Sequence, residues 1–189
     1  MKITHRGPRF PLMGPLLRSG GCLLALSAIL LNGSARADAQ TPDEAARSQH
    51  ALLAEVGPAR FTAPDFHPGN VRHMVMFRFR QSATPEQRHQ VTEHFLALVK
   101  ESRRPDHSPV VVSIETGAQN SGESSDLGLE RAYLVTFRSE GDRNFYVGQP
   151  VVADSHYFDA AHEAFKTFAK PYLAKVVVFD FTMDAKAAP

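Results

Sequence analysis

Arg72-His73-Met74-Val75-Met76-Phe77-Arg78-Phe79-Arg80 alternates in character from one residue to the next. His73, Val75, Phe77 and Phe79 fall on one side, and Arg72, Met74, Met76, Arg78 and Arg80 on the other. Side chains in an extended chain point to opposite faces with a period of two, so this stretch predicts a strand with one apolar face. The helix signal follows at once. Thr84-Pro85-Glu86-Gln87 supplies a capping hydroxyl, proline at the first helical position and a glutamine three residues after the cap. Val91, Phe95, Leu98 and Val99 continue at helical spacing, and Arg103-Arg104-Pro105 ends the run.

Further along, Val110-Val111-Val112-Ser113-Ile114-Glu115-Thr116 has the β-branched content of a strand. Gly117 to Gly128 is a loop without periodicity, and Arg131 to Phe137 is the third strand. Glu140 to Val147 predicts a short helix, stopped by Gly148 and Pro150. Phe158, Ala161, His162, Phe165, Phe168 and Ala169 then line one face of a helix, apolar except for His162. Lys175 to Phe181 is the last strand. The order β-α-β-β-α-β predicts an α+β, ferredoxin-like fold, four antiparallel strands with helices on one face. The other sheet face carries Met74 and Met76, and an apolar face left open implies a partner. Two copies joined through it form a dimeric α+β barrel.

Upstream, residues 1–37 hold five basic residues and no acidic one, an apolar run from Cys22 to Leu31, and Ala35-Arg36-Ala37. That is the layout of a signal peptide cleaved after Ala37 or Ala39, and the run is too short for the ~20 residues a membrane span needs. The expectation is an exported protein, periplasmic or secreted, with no membrane contact after cleavage. Residues 38–189 keep 16 basic and 20 acidic residues, so the basic balance of the whole chain belongs to the leader. No basic patch with interleaved aromatics remains, which argues against nucleic acid. Cys22 is the one cysteine and leaves with the leader, taking thiol chemistry and disulfides with it. Residues 38–68 form an N-terminal extension in which Ala45 to Val56 suits a short helix and Pro58, Pro64 and Pro68 break anything longer. The folded domain spans 69–184, and 185–189 is a tail.

Three pieces in order carry a resemblance. Val71 to Phe79 resembles the opening strand of the stress-responsive A/B barrel (Dabb) family. Ala161-His162-Glu163-Ala164-Phe165 with Lys170-Pro171-Tyr172, and then Val176 to Phe181, resemble its closing helix and strand. The resemblance implies a homodimeric barrel and, for most members, no assigned activity. One plant member is a polyketide cyclase, and by motif His162 matches its helix histidine, Tyr146 its tyrosine and His73 a histidine lining its cleft. The sequence departs from the family where Gln149-Pro150 replaces a usual His-Pro and Val151 to Ala160 intervene before His162.

The candidate site is therefore His162, Tyr146 and His73. An imidazole exchanges protons near neutrality, and the apolar helix face would set His162 against a cavity. His73 shares its face with three apolar residues and points the same way. Tyr146 could polarise a carbonyl, although a phenol near pH 10 is a poor base. Asp154, His156, Asp159 and His162, and His89 with His94, lack the spacing that sets two metal ligands on one helix face, so no metal or other cofactor is expected. Two functions follow. One is an exported, non-enzymatic barrel that binds a small apolar or aromatic molecule or serves in stress. The other is a cofactor-free acid–base enzyme, polyketide cyclase-like, with His162 as base and Tyr146 or His73 as polariser.

Overall fold

The computed structural model describes residues 43–184. The leader and the tail lie outside the described residues. In chain order the elements are α1 (Glu44–Phe61), β1 (Pro68–Phe79), α2 (Pro85–Glu101), β2 (Ser113–Ala118), β3 (Arg131–Ser139), α3 (Glu140–Val147), α4 (Ala160–Ala169) and β4 (Leu173–Thr182). Single 3-10 turns at Ser155–Tyr157 and Lys170–Tyr172 flank α4.

The four strands form one antiparallel sheet in the order β2-β3-β1-β4. The alternating stretch is its centre: β1 pairs with β3 on one side and β4 on the other. His73, Val75, Phe77 and Phe79 are all buried, as their shared face predicts. α2 begins at Thr84 with both hydrogen bonds of a capping box, and buries Val91, Phe95 and Leu98 against the sheet. The centre of the core is aromatic. Phe95 stacks on Tyr133 at 4.0 Å between ring centres, meets Phe165 edge-on at 5.1 Å, and packs with Phe77 at 5.9 Å. Removing one such ring costs about 3–5 kcal/mol.

Two boundaries differ from expectation. The second strand starts at Ser113, opposite Thr136, not at Val110. Val110 and Val111 are buried, but the backbone nitrogen of Val110 donates to Ser102 at the end of α2, so this stretch closes the helix end before it joins the sheet. The first helix continues past Pro58 to Phe61. Gly57, at φ 75°, takes the break in direction, and Pro58 opens a fresh turn where its missing N–H is not needed. This extension is not a bare linker. Phe61 and Phe66 are buried with Val152 in a small second core.

Among the described residues the helices cover one sheet face only. On the other, Met74 stands opposite Leu134 and Phe179, and Arg72 opposite Phe181. Phe179 is 61% exposed and Phe181 39%. Rings that large at that exposure form an apolar surface rather than a solvated one.

Candidate functional site

Between the sheet and α4 lies a cavity of about 490 Å³, the size of many small-molecule sites. Its walls are mainly apolar, from Val75, Phe77, Phe95, Phe165, Val176 and Val178. His73 and His162 both form part of the wall, so the structure brings together the two histidines from opposite ends of the domain.

His73 stands on the central strand because period two puts it on the core face, opposite Asp180 in the β1–β4 register. Its Nδ1 lies 2.6 Å from Asp180 Oδ1, and Arg143 Nη1 donates to Asp180 Oδ2 at 2.6 Å. Burial pushes the Asp180 carboxyl up, but the His73 hydrogen bond and charge, with the Arg143 guanidinium, outweigh it and hold the group below the usual carboxylate range. An ionised carboxylate only accepts, so Nδ1 of His73 carries the proton.

His162 is held differently. Its Nδ1 donates to the Tyr146 carbonyl at 2.7 Å, and its ring stacks on the Tyr146 ring at 3.9 Å. Burial and the nearby Lys166 ammonium lower its pKa from 6.5 to about 3, against a smaller opposite pull from the Tyr146 carbonyl. At neutral pH this imidazole is uncharged, with its hydrogen on Nδ1. Neither histidine's Nε2 has a hydrogen-bond partner among the described residues, and neither is a buried orphan. Each ring thus turns a bare nitrogen toward the cavity.

Tyr146 occupies another position. Its side chain is fully buried, edge-on to His73 at 5.9 Å, and is not part of the cavity wall. Its phenol oxygen has no partner among the described residues. Burial, then the charge of Asp159, raises its pKa well above 10. Tyr146 meets His162 through its backbone carbonyl and its ring face. The segment between Tyr146 and His162 folds so that both stay in contact. Asp159 caps α4 by accepting from the Ala161 nitrogen at 3.0 Å, and its own nitrogen donates to the Phe145 carbonyl.

Sequence reasoning missed Asp180, Arg143 and Lys166. Asp180 had a signal, being the one charge in Val176 to Phe181. Arg143 had none, since its role depends on α3 reaching the edge strand. Among the described residues no group of three histidine, cysteine, aspartate or glutamate side chains is arranged to hold a metal ion.

A four-stranded antiparallel sheet with helices on one face and a histidine-lined cavity under them defines a ferredoxin-like α+β protein. The family model of the stress responsive A/B barrel domain matches residues 71–183, and the chain belongs to that family. A solved Arabidopsis thaliana protein is 21% identical with a TM-score of 0.50, covering 62% of this chain and 99% of that one. A hydroxynitrile lyase from Passiflora edulis is 20% identical with a TM-score of 0.48, over 64% and 99%. A dimeric ferredoxin-like protein from Thermobifida fusca is 22% identical with a TM-score of 0.45, over 62% and 94%. At such identities, the Arabidopsis likeness shows the fold alone. No curated protein matches the chain.

Proposed function

We propose that this chain binds a small, largely apolar carbonyl or hydroxyl compound and moves a proton on it without a cofactor, with His73 as the base. The observation that carries the reading is the chain Arg143–Asp180–His73, ending at a bare Nε2 on the cavity wall. A carboxylate on Nδ1 fixes the tautomer and stabilises the imidazolium that forms when Nε2 takes a proton. His162 lacks that support. With a pKa of about 3 it stays neutral, and its Nε2 accepts a hydrogen bond from a substrate hydroxyl or enol. Lys166, anchored to the carbonyls of Val147 and Gln149 at 3.2 and 3.0 Å, puts positive charge beside the developing negative oxygen. This exchanges the roles expected from sequence, where His162 was the base and His73 or Tyr146 the polariser.

The test is α-hydrogen exchange of 2-decanone in D2O, followed by NMR. The chain should accelerate exchange over buffer, and His73→Ala should lower the rate by ~10²–10⁴-fold with the fold intact by circular dichroism. Binding of 2-decanone with no acceleration would leave the other reading, a binding module. That reading draws on the apolar walls, which need no chemistry to hold a ligand.

The assembly we propose is a homodimer through the open sheet face, because Met74, Leu134, Phe179 and Phe181 otherwise meet water. Export through residues 1–37, to the periplasm or outside the cell, belongs to the same proposal and rests on the leader pattern in the sequence.

A further inference from the structure

The cavity is more cationic than proton transfer at His73 needs. Arg80, Lys166, Lys170 and Lys175 all form part of its wall, and Asp180 is the acidic residue there, already paired with His73 and Arg143. Lys166 is engaged with Glu163 at 2.6 Å. Arg80, Lys170 and Lys175 have no carboxylate partner among the described residues. All three are exposed. The Arg80 nitrogen donates to the Tyr172 carbonyl at 2.8 Å, tying the end of β1 to the turn that carries Lys170. The β1–β4 register pairs Lys175 with Arg78, which turns the Lys175 side chain to the open sheet face and leaves Arg80 and Lys170 as the cations of this end. This positive rim stands out in a stretch, 38–189, in which acidic residues outnumber basic ones.

The other end of the cavity is the histidine end. Arg80 follows the last residue of β1, seven residues from His73, and at ~3.3 Å per residue their backbones are about 23 Å apart. Apolar wall lies between them, from Val75, Phe77, Phe165, Leu173 and Val176. The cavity is a slot with an acceptor pair at one end, grease in the middle and unpaired cations at the mouth.

Building on the proton-transfer reading, we propose that the ligand is an elongated amphipathic carboxylate. Its acid group is held by Arg80 and Lys170, its chain lies on the apolar wall, and its carbonyl or hydroxyl reaches His73. A guanidinium suits a carboxylate because its fork matches the two oxygens, and the Lys170 ammonium adds charge that steers an anion inward.

Calorimetry on the whole chain with decanoate, decanol and decyltrimethylammonium separates charge from chain, since all three share the same tail. Decanoate should bind ~10-fold or more tightly than decanol, the cationic surfactant should bind worst, and the decanoate preference should shrink as salt rises. Arg80→Glu and Lys170→Glu should each remove most of that preference while leaving decanol affinity unchanged. Equal affinities for decanoate and decanol, or a preference untouched by both reversals, would overturn the carboxylate inference and leave the cavity reading standing. Failure of all three to bind would overturn both.

Discussion

Because His162 resists protonation in the fold yet takes a proton near pH 6.5 once released, acid draws the chain toward the unfolded state. The sign follows from the proton count: the folded pKa lies below the unfolded one, so between about 6.5 and 3 the unfolded chain binds more protons. Stability is whole above about pH 6.5 and falls as pH is lowered through that window, by up to about 5 kcal/mol from this group. Asp180 acts in the same direction at lower pH, since its folded pKa is also depressed. Urea midpoints between pH 7 and 4.5 should therefore fall in the native chain and fall much less in His162→Gln. Parallel slopes in the two proteins would contradict the assignment. At this scale the sequence singled out His73 and His162, because a polar group on an apolar face is visible in periodicity. It could not separate their roles. Those depend on what each Nδ1 touches, a carboxylate from β4 in one case and a backbone carbonyl from α3 in the other.

Gly141 shows how the N-terminal extension is fastened. A Cβ there would lie 1.7 Å from the Ala63 carbonyl, and the Gly141 nitrogen donates to the Phe66 carbonyl at 3.1 Å. Beside it, Asn144 Nδ2 donates to the Phe61 carbonyl at 2.8 Å. The start of α3 and the chain after α1 thus meet backbone to backbone, with no room for a methyl group. Gly141→Ala should destabilise the chain by about 2 kcal/mol or more, read from the urea midpoint, and should expose the 57–66 segment to limited proteolysis. An unchanged midpoint and cleavage pattern would show that the extension is not seated this way. The elements of 71–182 were legible because they combine strict periods with capping and turn residues. The continuation of α1 was not, since Pro58 reads as a breaker unless Gly57 is seen to take the turn. The late start of β2 was hidden for a related reason. Val110 to Val112 has strand composition, but the helix end competes for its backbone.

Among the described residues the single sheet has an uncovered far face, and in the proposed homodimer a second copy presents the same apolar surface to it. Alternation along β1 was enough to expect this, with Phe179 and Phe181 on β4 adding to the face. Phe179→Asp with Met74→Asp should convert a dimer to a monomer in sedimentation velocity while far-UV circular dichroism stays native. A dimer that survives both changes would place the interface elsewhere. The claim that matters most, however, concerns which group takes the proton, and the 2-decanone exchange rate answers it when Asp180→Asn and Tyr146→Phe are compared with the native chain. Asp180→Asn should lose ~10²-fold or more, because His73 loses both its tautomer and its counter-charge, while Tyr146→Phe should keep the native rate within a few-fold. A Tyr146→Phe rate that collapses while Asp180→Asn stays native would contradict it and return the chemistry to the phenol and His162.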